Sequence, residues 1–164
     1  MKKNKGFSLV ELIIVIAIMA ILAAAIAPAL IRYIDKSRKA DDVTAAGTIA
    51  TAVNTSLANE AAYDAYAIAG DNVELMNADA TQKGSSFKWV AAGTYPNGEN
   101  VTFQNEVNSN LSGQAPQVKY KKDAGKGKPK TWVIKVSNDK PIVLLSTDKP
   151  DTYELSPSID PSYQ

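Results

Sequence analysis

Between Leu12 and Ile31 the sequence runs for 20 residues, LIIVIAIMAILAAAIAPALI, without one charged side chain. As an α-helix rising about 1.5 Å per residue, the stretch is about 30 Å long, the thickness of the hydrocarbon layer of a bilayer. A chain of 164 residues that spends this much on one apolar segment has room left for one modest domain, not two. Ahead of the segment, MKKNKG carries Lys2, Lys3 and Lys5, a basic cluster that the positive-inside tendency keeps on the cytoplasmic side.

Glu11 is the exception within the apolar string FSLVELIIV. A carboxylate held charged near the bilayer centre costs about 2.5 to 3.5 kcal/mol, and less near the edge, so position alone leaves simple snorkelling at the interface open. The surrounding residues are more specific. Gly6-Phe7-Ser8-Leu9-Val10-Glu11 resembles the processing motif of type IV pilins and pseudopilins. That resemblance implies cleavage by a prepilin peptidase between Gly6 and Phe7, N-methylation of Phe7, and an assembly role for Glu11. An unpaired carboxylate among apolar groups is costly, whereas one that meets the N-terminal amine of a neighbouring subunit makes a charge-assisted pair, so the burial cost becomes a register device. The family also implies a homopolymer of identical subunits, an assembly platform with its ATPase, a single-pass precursor with a cytoplasmic N-terminus, and then an extracellular pilus. Two other readings remain open. Ala25-Ile26-Ala27 and Ala27-Pro28-Ala29 resemble signal-peptide cleavage sites, although the apolar core is longer than such signals use. A plain, unprocessed anchor differs only in giving no role to GFSLVE.

Beyond Ile31 the charged residues Arg32, Asp35, Lys36, Arg38, Lys39, Asp41 and Asp42 mark the exit from lipid. Apolar residues then fall at Ile34, Val43, Ala46, Ile49, Val53 and Leu57, mostly three or four apart, which is the periodicity of an amphipathic helix. A helix from Phe7 to about Leu57 is about 75 Å long, so half of it is expected to protrude from a small domain and to need a bilayer or copies of itself. Pro28 and Gly47 are its weak points. Pro28 is expected to kink or locally break it, and it aligns with a proline common in the pilin family.

After about Ala69 the pattern changes. Strands are expected at Phe87–Ala91, Val101–Phe103, Gln117–Lys122, Thr131–Val136 and Pro141–Ser146, paired antiparallel, with a hairpin joining QVKYKK to KTWVIKV through a Gly-rich connection and a turn near Ser137-Asn138-Asp139. One face should bury Trp132 or Val133 with Ile134, Val143 and Leu145 against Val43, Ile49, Val53 and Leu57. The fold class is therefore α+β: a leader over residues 1–6, a membrane or filament-core helix over 7–31, and a head over 32–164 that includes the amphipathic half of the helix.

The formal net charge is +1, but the charge is segregated. Residues 119–135 hold seven lysines against one aspartate, while residues 60–118 hold seven acids against two lysines. Lys119, Lys121, Lys122, Lys126, Lys128 and Lys130 are thus candidate surface-binding residues. They suit an acidic patch on another subunit, a solvated edge that resists aggregation, or nucleic acid with Trp132 and Tyr120 stacking on bases. Asp139, Asp148 and Asp151 fit no EF-hand spacing, and the N-x-[ST] triplets at Asn54, Asn100 and Asn110 are short enough to arise by chance. The chain contains no Cys and no His, which excludes Cys/His zinc sites, Ser/His/Asp triads and imidazole acid–base chemistry. No spacing singles out a carboxylate pair, so neither catalysis nor a cofactor is expected. The same lack of Cys removes the C-terminal disulfide frequent in the pilin family and leaves the pinning of the C-terminus open. A surface adhesion or nucleic-acid-binding module on a simple anchor is the alternative of another class, and a pseudopilin of a type II secretion or DNA-uptake system the alternative within the family.

Overall fold

The computed structural model describes residues 6–69, 73–90 and 99–164. They divide into two compact units, one ending at Ser37 and the other running from Arg38 to Gln164. The first unit is helical from Leu9 onward, as the first part of α1 (Leu9–Leu57), and the helix passes through Pro28 without a break. Its large apolar side chains, from Leu9 to Ile31, are exposed. This part of α1 is long and apolar enough to cross a membrane.

In the second unit α1 is amphipathic. Asp42, Ala46, Ile49, Val53 and Ser56 form a buried stripe at helical spacing. On the exposed side, the hydroxyls of Thr44, Thr48, Thr51 and Thr55 each donate to the carbonyl four residues back, which lets a threonine-rich face stay helical without unpaired side chains. After Leu57 the chain restarts as α2 (Glu60–Ala69). Asn59 caps it by accepting from the amides of Ala61 and Ala62, the ordinary N-cap role of asparagine.

Five antiparallel strands follow: β1 (Glu74–Asp79), β2 (Lys88–Trp89), β3 (Pro129–Ser137), β4 (Lys140–Thr147) and β5 (Thr152–Ser156), in the spatial order β2-β1-β3-β4-β5. Trp132, Ile134, Val136, Val143 and Leu145 share one buried cluster with Ile49 and Val53, against which Val43 and Leu57 pack. Trp132 therefore takes the core side expected of it. Val133 pairs with Leu144 in register and is buried, but outside that cluster. The expected α+β arrangement, a long helix with an antiparallel sheet, is what the chain adopts.

Several expected strands are corrected. Val101–Phe103 lies in a helix, α3 (Glu99–Asn110). The short β-prone string VTF is overridden by Phe103, Val107 and Leu111, all buried and four residues apart. Gln117–Lys122 is irregular and forms no strand. Its Val118 and Tyr120 do alternate inward, yet Val118 N–H donates to Ala80 O and the next two amides go to a side chain of α1, so no ladder can form. The real hairpin is β3–β4. Phe87–Ala91 shrinks to β2 at Lys88–Trp89, with Ala91 outside the described residues. Strand β1 was not expected because ELMNAD is poor in β-branched residues, and a register shift between Glu74 and Met76 puts Leu75 and Met76 both inside.

Both sheet edges are blunted, as exposed edges must be to avoid pairing with other chains. At β2, the Asn108 side chain accepts from Phe87 N–H and donates to Phe87 O, both at 2.9 Å, and Gln104 accepts from Trp89 N–H. At β5, Asp160 N–H donates to Glu154 O.

The expected turn near Ser137-Asn138-Asp139 is present as the two-residue loop between Ser137 and Lys140. Asn138 and Asp139 both have positive φ, 48° and 58°, the signature of a type I′ hairpin, which favours Gly at its second position. Replacing Asp139 by Gly relieves left-handed strain and is expected to raise stability by about 0.5 to 1 kcal/mol, seen as a higher denaturation midpoint. A loss instead would mean that the 3.4 Å bond from the Tyr63 hydroxyl to Asp139 matters more than the turn.

Candidate functional site

The residues singled out at the N-terminus lie together at the start of α1. Gly6 has open space around it, Phe7 is 84% exposed, and helix begins two residues later. Ser8 accepts the first helical bond from Leu12 N–H, while Glu11 Oε2 accepts from Ser8 N–H at 2.8 Å. Ser8-Leu9-Val10-Glu11 thus has the S-x-x-E spacing of a capping box, with the acid reaching back to satisfy an orphan amide and offsetting the positive end of the helix dipole. This local function of Glu11 was not read from the sequence, although the spacing announces it. Pro28 stands near the end of the exposed apolar run from Leu9 to Ile31, inside continuous helix.

In the second unit the chemistry gathers around Asp42. This carboxylate is wholly buried and accepts three hydrogen bonds: Lys119 N–H at 2.6 Å on Oδ1, and Tyr120 N–H at 3.0 Å and the Tyr163 hydroxyl at 2.8 Å on Oδ2. Burial pushes its pKa above the ordinary aspartate value, with the two backbone amides and the Tyr163 hydroxyl pulling the other way. Burial, and then the Asp42 charge, push the Tyr163 phenol far up, so it remains a donor. Tyr163 packs against Tyr120 and Tyr153 with ring centroids 5.8 and 5.0 Å away. Lys39 Nζ donates to Ser162 O at 2.8 Å and lies 5.2 Å from the Tyr120 ring centroid, within cation–π range.

This set of bonds holds the C-terminus without a disulfide. It was missed in the sequence, where Asp42 was counted among the charges at the lipid exit. Its signal was its spacing: Asp42 is four residues before Ala46 on the apolar stripe, a place where a solvated charge does not belong.

The lysines of residues 119–130 divide by their surroundings. Lys126 is half-buried and paired with Asp160 at 2.7 Å and Asp151 at 3.9 Å. The Asp160 bond raises its pKa. Gly127 beside it has φ +113° and is packed so closely that a Cβ would meet Thr147 Oγ1 and Asp148 Oδ1 at 2.7 Å. Asp123 accepts from the amides of Gly125 and Gly127 and pairs with Lys149 at 2.7 Å, and these donors, Lys149 first, hold its carboxyl well below the usual range. The Gly-rich connection is therefore an ordered loop rather than a flexible hairpin turn. Lys128 and Lys130 are exposed. Lys119, Lys121 and Lys122 are exposed too, and with Arg38, Asp41, Gln117 and Val118 they line one open groove. Tyr120 and Trp132, the aromatics expected beside the lysines, are buried and offer no ring to a base. Among the described residues no cluster of three or more acids is arranged to hold a metal ion.

Residues 1–27 match a family described as the prokaryotic N-terminal methylation motif. A fimbrial protein of Moraxella nonliquefaciens is 38% identical over 77 residues, covering 46% of this chain and 50% of that relative. The chain thus spans about half the length of the curated relative it matches. No solved structure matches it.

Proposed function

Starting from a chain whose N-terminal segment matches the prokaryotic N-terminal methylation motif, we propose that it is a filament subunit of the type IV pilin kind, stored in the membrane as a single-pass precursor and polymerised through the first part of α1 after cleavage between Gly6 and Phe7. The observation that carries this reading is the run of large apolar side chains from Leu9 to Ile31, all exposed. Such a surface is not stable in water and calls for lipid or copies of itself. A prepilin peptidase would make the cut, methylation would follow on Phe7, and an assembly platform with its ATPase would move the subunit from the bilayer to the extracellular filament.

Glu11 then has two partners in succession. In the single chain its carboxylate serves the Ser8 amide. In a filament the amine of a neighbour's Phe7 is a charged donor, about twice as strong as a neutral one, and would draw the same carboxylate into an intersubunit pair that sets register. Pro28, lacking an N–H, marks the place where the helix most easily unwinds during packing.

The test is the N-terminal residue and intact mass of the protein from cells that carry a prepilin peptidase. A methylated Phe7 start is expected, and Gly6→Val should leave the precursor uncut, since the open backbone at Gly6 is what a peptidase must grip. A start near Pro28 or Leu30 would mean an ordinary secreted protein, and an intact Met1 a plain anchor.

A further inference from the structure

We propose that the groove lined by Arg38, Lys119, Lys121 and Lys122 is a docking surface for the phosphate headgroups of anionic lipids in the membrane that holds the apolar segment. The inference rests on the membrane-anchored reading above and adds a second, electrostatic attachment to it. Its first support is how the groove is built. Arg38 is on α1, and the lysines come from a loop about eighty residues later in the chain. They meet because Asp42, one turn beyond Arg38, accepts from the amides of Lys119 and Tyr120. Tyr120 faces inward, so the residues on either side of it, Lys119 and Lys121, are left on the open side.

Its second support is where the groove falls along the chain. The uncharged stretch ends at Ile31, and Arg38 lies seven positions further on, about 10 Å as helix and at most about 25 Å stretched out. The field of an anionic leaflet reaches about 8 Å beyond the headgroups at physiological salt, and a tether this short lets the groove come within reach of lipid phosphates. Charge completes the case. Lys126 and Lys149 are engaged in ion pairs, whereas Lys119 and Lys121 make none among the described residues, and Asp41 is the one acid lining the groove. Nucleic acid fits less well, because single-strand binding leans on exposed aromatic rings, and the rings of Tyr120 and Trp132 are buried.

The experiment places the full-length chain in nanodiscs of phosphatidylcholine alone or with added phosphatidylglycerol, and follows lysine acetylation rates by mass spectrometry. Lys140, exposed at the β3–β4 turn, is the internal reference. Phosphatidylglycerol is expected to slow labelling of Lys119 and Lys121 about three- to fivefold relative to Lys140. The effect should vanish in 1 M salt, where the screening length is about 3 Å, and, read at Lys119, in the Arg38→Glu/Lys121→Glu variant. Equal rates in both discs, or equal slowing at Lys140, would overturn the groove while leaving the anchoring intact. A chain that does not stay in the discs would instead overturn the membrane reading. Slowing produced by a short single-stranded DNA in phosphatidylcholine discs, and not by phosphatidylglycerol, would assign the groove to nucleic acid.

Discussion

Replacing Asp42 by Ala is expected to lower the stability of the second unit by about 2 to 4 kcal/mol, because the change leaves three donors facing an apolar gap. The amides of Lys119 and Tyr120 and the hydroxyl of Tyr163 all converge on this carboxylate, and Tyr120 and Tyr163 are themselves buried. Water cannot replace the lost acceptor without opening the contact between α1, the 117–122 loop and the C-terminus. The expected readout is a fall of about 10 °C in the tyrosine near-ultraviolet circular dichroism transition, together with faster amide exchange at Lys119 and Tyr120. A loss under about 1 kcal/mol would show that Asp42 only fills space.

The same residue has a definite pH signature. Its folded pKa lies above the ordinary aspartate value because of burial, so the folded state binds this proton more tightly than the unfolded one. From Asp42 alone, stability is then highest below the ordinary value, falls as pH rises through the window up to the raised value, and is level above it. Asp123 and Asp160 act in the opposite sense. For Asp123 the Lys149 bond and the glycine amides lower the pKa. For Asp160 burial raises it, but the bonds from Lys126 and Ser162 outweigh that. Their contributions are present above the ordinary aspartate value and are lost as pH falls through the lowered ones. Asp42→Asn separates the two. It keeps one acceptor, should cost less than Asp42→Ala, and should remove only the Asp42 component. The stability difference between the unsubstituted chain and Asp42→Asn is therefore largest at low pH and shrinks as pH rises through the window. A difference that grew with pH would reverse the assignment.

Much of this architecture is legible in the sequence, and what is not follows a pattern. The uncharged run and the 3–4 spacing from Val43 to Leu57 specify a helix, and it ends at Leu57 as expected. Thr131–Val136 and Pro141–Ser146 are short runs rich in Val, Ile and Leu and become parts of β3 and β4. Legibility failed where a segment's local preference and its partners disagree. Gln117–Lys122 alternates like a strand, but its amides are claimed by a carboxylate about eighty residues earlier, a contact that no window of a few residues contains. In Val101–Phe103 three residues of β propensity lost to a longer apolar period. The N-terminal site shows the reverse: GFSLVE is contiguous and could be read whole, whereas the Asp42–Tyr120–Tyr163 junction is assembled from three distant places, and only the misplaced charge on the apolar stripe hinted at it.

Trp132→Ala is expected to have the largest effect, about 3 to 5 kcal/mol, a large share of the about 5 to 15 kcal/mol by which domains of this size are stable. Trp132 is fully buried on β3, the middle strand of the sheet, opposite Ala78 on one side and Leu145 on the other. The indole fills the space beside small Ala78, so its removal leaves a cavity that neither neighbour can close. Its Nε1 also donates to Pro116 O at 2.6 Å, at the start of the 117–122 loop. Trp132→Phe keeps most of the volume and loses that bond, for an expected cost of about 1 to 2 kcal/mol. The two variants separate packing from the hydrogen bond when compared by urea denaturation of the full chain, and nearly equal losses would mean that the bond and not the cavity dominates. Trp132 grips the loop at Pro116 while Asp42 grips it three residues later, so the loop is held from the sheet and from the helix at once. Asp42→Ala and Trp132→Phe should therefore be non-additive: once one hold is gone, the other has less ordered loop to secure. Additive losses would mean that the two holds act independently.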